Sequence, residues 1–231
     1  MSEPTLAAII VAGGSGKRFG SDTPKQYLLI GNDPVIVHTV RRFVVAGVFS
    51  RIILVVHPDY HSVVRQWMED EGVSVEVVES GPERQDSVAN GLEAALSSCD
   101  RVLIHDAARP LVDPKTIRLC AEVLLTHPAV VAGYYSRDTV KQVSDSGEVL
   151  GTIPRAGVFL AQTPQGFNRK TGLEVLRQIR QSGLAGTDDV FFAEKAGVPV
   201  QCVPASPYNL KITTRADFDL VSTLITHDIH L

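Results

Sequence analysis

A glycine-rich, basic loop is the first part of the sequence with residues suited to chemistry. It follows the apolar run at residues 6–12, reads GGSGKR over residues 13–18, and has Lys25 a few residues beyond it. Glycines let the backbone approach a ligand and turn successive N–H groups toward phosphate oxygens. Lys17, Arg18 and Lys25 add charge, which suits a triphosphate. The loop therefore predicts a phosphate site; a tight turn whose glycines serve only geometry is the alternative.

Two common phosphate-binding loops do not match this segment. A dinucleotide fingerprint GxGxxG that begins at Gly14 meets Phe19 where its last glycine belongs. A P-loop, GxxxxGK[ST], that ends at Gly16-Lys17 needs glycine in place of Val11 and a hydroxyl residue in place of Arg18. Both templates are therefore excluded.

An aspartate ends a second apolar run, in the string LIHDAARP at residues 103–110. At the end of a buried strand, the Asp106 carboxylate can hold Mg²⁺ against substrate phosphates without a dedicated protein cage. A loop ion pair between Asp106 and Arg109 is the alternative. The sequence has no HExxH pair and no GxSxG elbow, so covalent catalysis has no candidate. His105 is predicted to be a structural hydrogen-bonding residue.

From their residues alone, the other polar segments fit either a structural role or a role in ligand binding. Asp86 or Ser87 in GPERQDSV (81–88), and Thr187 in TDD (187–189), are suited either to capping a helix or to contacting a ligand. Lys211 lies in a β-prone stretch, where a lone lysine is ordinarily an edge-strand charge. The segments RDTVK (137–141) and IPRA (153–156) fit a solvated hairpin.

The elements that must position these residues alternate between strand and helix. This order predicts an α/β fold, a Rossmann-like three-layer sandwich whose mostly parallel, mixed sheet binds ligands at the carboxyl ends of its strands. The apolar run before the glycine loop is continuous, as in a strand buried on both faces. Strands are predicted at 6–12, 51–56, 73–79, 101–105 and 129–135, and helices at 34–46, 62–71, 87–97, 114–126, 170–182, 188–196 and 215–226.

The alternation of strands and helices stops between residues 137 and 165, which predicts a protruding β-hairpin. Two β-prone pieces, 139–144 and 148–152, flank Asp145-Ser146-Gly147. A hairpin of this kind cannot bury both faces alone, so we expect it to pack on a second subunit. The chain is otherwise predicted to be a single domain over residues 1–231, with this arm at about 137–157.

Composition excludes several classes of protein. A net charge of −4 argues against nucleic-acid binding through bulk positive charge. The three cysteines lie far apart without ligand spacing, which argues against a disulfide framework or zinc site and favours the reducing cytoplasm. The first apolar run is too short for a signal peptide or membrane span. We therefore expect a cytoplasmic protein with no membrane partner.

The run AAIIVAGGSGKRFG, followed by PKQY at 24–27, resembles the signature loop of sugar-phosphate nucleotidyltransferases. More narrowly, the chain is similar to the 2-C-methyl-D-erythritol 4-phosphate cytidylyltransferase family, with matching segments at 81–91, 104–110, 137–141, 153–167, 187–189 and 210–214. The family usually has a second glycine where this chain has Pro82, which offers no N–H to a ligand.

This resemblance implies CMP transfer from CTP to a polyol phosphate, with Mg²⁺ on Asp106 and a homodimer whose arm reaches the partner's site. Ribitol-5-phosphate cytidylyltransferase is the nearest alternative, since it shares the loop and the TPQ and KITT segments, but DAARP and IPRAGV favour the methylerythritol enzyme. A non-catalytic nucleotide-binding regulator is the alternative from another class. The implied catalytic residues are Arg18, Lys25 and Lys211; the nucleotide-binding residues are Ala12, Gly13, Gly14, Ser15, Gly16, Lys17, Gly81, Arg84, Ser87 and Ala107; the substrate-binding residues are Asp106, Arg109, Thr139, Arg155, Thr163 and Thr187.

Overall fold

The computed structural model describes residues 4–14, 19 and 23–227. Within these residues, seven strands form one mixed sheet: β1 (Leu6–Ala12), β4 (Arg51–Val56), β5 (Glu76–Glu79), β6 (Arg101–Asp106), β7 (Ala129–Tyr135), β10 (Phe159–Asn168) and β11 (Val200–Pro204). Their order across the sheet is β11-β7-β10-β6-β1-β4-β5. β10 runs antiparallel to both of its neighbours, and the other strand pairs of this sheet are parallel.

Helices cover both faces of this sheet. They are α1 (Val35–Ala46), α2 (His61–Asp70), α3 (Arg84–Leu96), α4 (Pro114–Val123), α5 (Arg169–Gln181), α6 (Val190–Lys195) and α7 (Arg215–Thr226). Ala8 and Ile10 of β1 lie in the core covered by α1, α2 and α4, whereas Ala7 and Ile9 lie in the core covered by α3, α5 and α6. Since both faces of β1 are buried, its apolar run is continuous. The predicted three-layer α/β fold is confirmed.

The structure corrects several boundaries and adds elements that the sequence did not predict. α3 begins at Arg84, three residues before the predicted start, and β5 begins at Glu76. β10 and β11 were not predicted, and neither was a short antiparallel pair, β2 (Leu29–Ile30) with β3 (Asp33–Pro34). β10 escapes a search for apolar runs because it carries buried glutamines, a proline and a glycine.

Lys211 does not lie in a strand, although its neighbours are β-prone, so the alternative of an edge-strand charge does not apply. It belongs to an extended loop that leads into α7. The backbone N–H of Ile212 donates to the Ala108 carbonyl at 2.9 Å, and the Ile212 side chain packs in a third core with Phe218 and Val221 of α7. The loop is thereby fixed beside the segment that follows β6, which sets the position of Lys211.

The predicted hairpin is present as β8 (Val140–Val143) paired with β9 (Val149–Ile153). These strands form a two-stranded sheet separate from the main one. Gly147 has φ +85° in the turn, a conformation that favours glycine. Val143, Val149 and Leu150 are each more than half exposed, so the hairpin leaves an apolar surface uncovered. Across the described part of the chain, every helix is too short or too polar to cross a bilayer.

Candidate active site

A cavity of about 740 Å³ opens where β1, β4, β5 and β6 end. This is the edge of a parallel sheet at which ligands are expected. Its walls bring together residues from stretches far apart in the sequence, between Val11 and Lys211, so the site exists only in the folded chain. The predicted site residues that line it are Ala12, Gly13, Gly14, Lys25, Gly81, Arg84, Ser87, Asp106 and Lys211.

The end of β1 is held by side chains from a 3₁₀ turn, Lys25–Tyr27. The Gln26 amide donates to the carbonyls of Ala12 and Gly14, at 2.7 and 2.8 Å, and the Tyr27 hydroxyl donates to Ala12 at 2.7 Å. A Cβ on Gly13 would lie 2.2 Å from the Cβ of Ser80, whereas one on Gly14 meets no described atom within 4 Å. Gly13 therefore permits a close approach of two strand ends. Ser15, Gly16, Lys17 and Arg18 lie outside the described residues.

The start of α3 forms another wall of the cavity. The Ser87 hydroxyl accepts from the Gly81 N–H at 3.1 Å and donates to the Glu83 carbonyl at 3.2 Å. The Asp86 carboxylate accepts from the Glu83 N–H at 3.2 Å, which satisfies a backbone group at the helix start. Glu83, not Asp86 or Ser87, is the N-cap residue. The free N–H groups of a helix start carry partial positive charge, which favours an anionic ligand here.

Asp106 is surrounded by three cationic side chains. Arg84 Nε lies 3.0 Å from Oδ1, Lys211 Nζ lies 2.8 Å from Oδ2, and Arg109 Nε lies 3.5 Å from Oδ2. Burial would raise the pKa of this carboxyl, but the charges of Arg84, Lys211 and Arg109 outweigh burial and hold the pKa well below its usual range. Asp106 is therefore an ionised carboxylate throughout the neutral pH range.

Arg84 has a second anionic partner that the sequence did not predict. Its Nη1 and Nη2 bind the two carboxylate oxygens of Asp189 at 2.7 and 3.0 Å, a bidentate pair. Asp189 is 2% exposed and immediately precedes α6. The two residues are 105 positions apart. In the sequence, Asp189 is the second acid of the TDD segment, in which the resemblance implies a role only for Thr187.

Gln165 of β10 fixes the backbone on which Asp189 stands. Its Oε1 accepts from the N–H groups of Asp189 and Val190, both at 2.9 Å, and its Nε2 donates to Asp188 Oδ2 at 3.0 Å. Gln165 is buried, and its Nε2 also donates to the Gln162 carbonyl at 3.1 Å. The TPQ segment therefore has a structural role beneath the site.

Beneath Asp106 lies a buried chain of hydrogen bonds through Thr163 and His105. The Asp106 N–H donates to Thr163 Oγ1 at 3.2 Å, Thr163 Oγ1 lies 3.0 Å from His105 Nδ1, and His105 Nε2 lies 3.2 Å from the Arg109 carbonyl. Burial lowers the pKa of His105 to about 3, so the ring is neutral. A carbonyl only accepts, so Nε2 carries the proton and the Thr163 hydroxyl donates to Nδ1.

Comparison with known proteins assigns the chain to a family. Residues 6–227 match the family model described as IspD, 2-C-methyl-D-erythritol 4-phosphate cytidylyltransferase. The chain belongs to this family. The cytidylyltransferase of that name from Syntrophus aciditrophicus is 38% identical over 226 residues, covering 96% of this chain and 97% of the relative. That from Cereibacter sphaeroides is 40% identical over 222 residues, covering 96% and 97%.

Solved structures agree with this family assignment. 4-Diphosphocytidyl-2C-methyl-D-erythritol synthase from Anaerococcus prevotii superposes with a TM-score of 0.86 at 27% identity, covering 97% of this chain and 100% of that one. The 2-C-methyl-D-erythritol 4-phosphate cytidylyltransferase from Thermus thermophilus gives 0.80 at 27% identity, covering 96% and 99%. As an IspD family member, the chain is a nucleotidyltransferase of the non-mevalonate isoprenoid pathway that transfers CMP from CTP to 2-C-methyl-D-erythritol 4-phosphate. The ribitol phosphate alternative is not favoured.

Several residues predicted from the resemblance to this IspD family do not line the cavity. Arg109 and Thr163 lie behind Asp106 and contact it. Ala107 is buried, with its N–H bonded to the Val11 carbonyl and its carbonyl bonded to the Thr39 hydroxyl. Thr139 and Arg155, on the arm, and Thr187 are exposed. Within one chain, most of the described residues predicted for the nucleotide therefore line the cavity. Of those predicted for the polyol phosphate, Asp106, Arg109 and Thr163 lie together, whereas Thr139, Arg155 and Thr187 lie apart from the cavity lining.

Proposed function

We propose that the cavity binds CTP and that the reaction occurs at its Asp106 end. A phosphate oxygen of 2-C-methyl-D-erythritol 4-phosphate attacks the α-phosphorus and forms a new P–O bond. The bond from that phosphorus to the bridging oxygen of the β-phosphate breaks, and pyrophosphate leaves. The observation that carries this proposal is the pairing of Arg84 and Lys211 with Asp106 in the wall of a glycine-lined cavity, with Arg109 paired to the same carboxylate from behind.

Charge is the main obstacle to this reaction, because an anionic oxygen must approach a phosphorus surrounded by anionic oxygens. The nucleophile is a phosphate that is already ionised near neutral pH, so no general base is required. Catalysis then consists of alignment and charge neutralisation. We assign neutralisation to Lys25 and Lys211, which both line the cavity, and to Arg18 of the signature loop.

The nucleotide is assigned to the signature loop and the start of α3. Backbone N–H groups of Gly13 and Gly14, with the loop residues Ser15, Gly16 and Lys17, would bind the phosphates, and Ala12 and Ala107 would border them. Gly81, Arg84 and Ser87 would border the cytosine. Support comes from the position of Gly13, Gly14, Gly81, Arg84 and Ser87 along one cavity.

Asp106 is suited to hold Mg²⁺ together with the substrate phosphates. No cluster of three or more metal-ligating side chains occurs among residues 4–14, 19 and 23–227, so a closed protein cage is not provided there. Mg²⁺ commonly binds one or two carboxylates plus phosphates, which a single ionised aspartate at the cavity fits. When bound, the ion would neutralise charge on the CTP phosphates. Lys211 would then be released in part from Asp106 toward the phosphates.

The polyol phosphate is assigned to Asp106, Arg109, Thr163 and Thr187 of one subunit and to Thr139 and Arg155 of the other. Among the cavity-lining residues that the structure describes, none comes from the arm. The exposed apolar side chains of β8 and β9 support a homodimer in which the arm packs on a partner. The cytoplasm as the location, with no nucleic-acid or membrane partner, is the remaining part of the proposal.

Pyrophosphate release tests this proposal directly. CTP is supplied with 2-C-methyl-D-erythritol 4-phosphate or ribitol 5-phosphate, each with Mg²⁺ and with EDTA. We expect release only with the methylerythritol substrate and Mg²⁺. Equal release in EDTA would remove the ion from the mechanism, preference for ribitol 5-phosphate would overturn the acceptor, and CTP binding without any release would indicate a nucleotide-binding regulator.

A further inference from the structure

Asp189 lies on the far side of Arg84 from the cavity. The Asp189 side chain is 3% exposed, while that of Arg84 is 35% exposed and lines the cavity. Asp189 is not among the lining residues that the structure describes. Among the side-chain contacts described for Asp189, the pair with Arg84 is the one that leads to the cavity.

The two carboxylates around Arg84 determine the plane of its guanidinium. Asp189 binds the Nη1–Nη2 end and Asp106 binds Nε, which engages three of the five N–H donors. Because the Asp189 pair is bidentate, rotation of the guanidinium would break two hydrogen bonds at once. The other N–H donors keep fixed directions at the cavity wall. A long side chain held in one geometry loses less conformational entropy when it binds a ligand.

The position of Asp189 is fixed by the fold before any ligand binds. Gln165 accepts from the Asp189 N–H, so the aspartate is fixed to β10 before α6 begins. Across the cluster, the cations are Arg84, Arg109 and Lys211 and the carboxylates are Asp106 and Asp189, which gives three positive and two negative charges. The net charge of +1 leaves this cluster attractive to anions, while Asp189 neutralises part of the charge of the half-buried Arg84.

We propose that Asp189 is a positioning residue for CTP binding, which presets the guanidinium of Arg84 at the cavity wall. Without the carboxylate, Arg84 retains its bond to Asp106 and turns its free end away from the ligand. The inference rests on the proposed role of Arg84 in nucleotide binding. It adds a residue that acts at a distance from the nucleotide.

The test is a double-mutant cycle on CTP affinity. The parent, Asp189→Asn, Arg84→Met and the double variant are titrated with CTP by calorimetry at one fixed Mg²⁺ concentration, without polyol phosphate. We expect Asp189→Asn to weaken CTP binding about tenfold and to weaken it less than twofold further in the Arg84→Met background, because interacting residues are non-additive. In turnover, the KM for CTP should rise about tenfold with kcat changed less than threefold.

Asp188→Asn is the matched control. Asp188 adjoins Asp189 and contacts Gln165, but its carboxylate bonds to the Phe191 N–H and not to Arg84. We expect CTP affinity within twofold of the parent for this variant. An equal loss in Asp188→Asn and Asp189→Asn would show that the segment matters only for local structure, which would overturn the proposal.

The remaining outcomes separate this inference from the proposed function. Unchanged affinity in Arg84→Met would reject the nucleotide role of Arg84 and the inference with it. Weakened affinity in Arg84→Met with unchanged affinity in Asp189→Asn, or equal effects of Asp189→Asn in both backgrounds, would reject the inference alone. If Asp189→Asn does not fold, the double variant, which removes both charges, is compared with Arg84→Met: equal affinities support the proposal and a further loss rejects it.

Discussion

The cavity and the arm hold their polar side chains in opposite ways. At the cavity, Asp106 and Arg84 are fixed by ion pairs within one chain and rest on buried hydrogen bonds. On the arm, Thr139 and Arg155 are exposed, and Arg155 contacts only the Arg137 carbonyl among the hydrogen-bond partners described, at 2.6 Å. The described side chains of the cavity are held by contacts within the chain, whereas those of the arm have few such contacts and, in the proposed dimer, would depend on the partner surface.

This difference indicates which mutations should affect use of CTP and which should affect use of the polyol phosphate. A preorganised site contributes to every turnover regardless of the acceptor, because its geometry is set by the fold. An exposed arm contributes only when a partner surface orders it. Changes in the cavity should therefore affect CTP use and the chemical step, whereas changes in the arm should affect use of the polyol phosphate.

Lys25→Ala should produce the largest effect. Lys25 lines the cavity beside Gln26, and loss of one group that stabilises transition-state charge typically costs about two orders of magnitude or more. We expect kcat/KM to fall at least about 100-fold, with circular dichroism unchanged. Lys115→Ala, an exposed lysine on α4, is the matched control and should keep full turnover. Near-normal turnover in Lys25→Ala would contradict the assignment of charge neutralisation to Lys25.

Gly13→Ala should have the next largest effect, and Gly14→Ala provides its comparison. The new Cβ at residue 13 would lie 2.2 Å from the Ser80 Cβ, so the ends of β1 and β5 must separate. Such overpacking costs about 1–3 kcal/mol, and we expect a loss of about 2 kcal/mol in the free energy of unfolding. At residue 14 no described atom lies within 4 Å, so stability should change by less than about 0.5 kcal/mol. Denaturant unfolding measures both.

Arg155→Ala tests the arm. We expect the KM for the polyol phosphate to rise about tenfold, equivalent to about 1.4 kcal/mol, while equilibrium CTP binding is unchanged. In heterodimers of Arg155→Ala and Lys25→Ala subunits, one site should regain both residues if the arm acts in trans. Absence of restored activity in verified heterodimers would show that the arm serves its own subunit, and the contrast with the cavity would no longer hold.

The sequence predicted the parts of the site that follow directly from strands with continuous apolar runs. β1 and β6 are such strands, and each run ends abruptly at residues with chemical function, Gly13 and Asp106. The hairpin was also predictable, because Asp145-Ser146-Gly147 separates two β-prone pieces. These features depend on residues close together in the chain.

The partners of Arg84 and Lys211 could not be predicted, because their positions depend on long-range packing. The Arg84–Asp189 pair spans 105 residues and depends on β10, where Gln165 holds the Asp189 backbone. Because β10 contains this buried polar residue, it does not read as an apolar run in the sequence. The neighbours of Lys211 are β-prone, but Ile212 is packed against α7 and the segment is a loop. In both cases tertiary contacts override local preference.

The smallest predicted effect concerns His105, which tests whether the base of the cavity is preorganised. The folded pKa of His105 is about 3, below its ordinary value of 6.5, because the ring is buried. Because the folded pKa is lower, the unfolded chain takes up the proton at a higher pH than the folded chain does. The contribution of His105 to the free energy of unfolding is therefore fully present above about pH 6.5 and is lost as the pH falls toward 3. From pH 6.5 to 5.5 this one residue should remove about 1 kcal/mol of unfolding free energy. His105→Asn has no titrating ring at this position and should lose that part of the slope, which denaturant unfolding at several pH values would measure. An identical slope in parent and variant would mean that protonated His105 is tolerated in the fold, and that the hydrogen bonds beneath Asp106 are less rigid than the cavity requires.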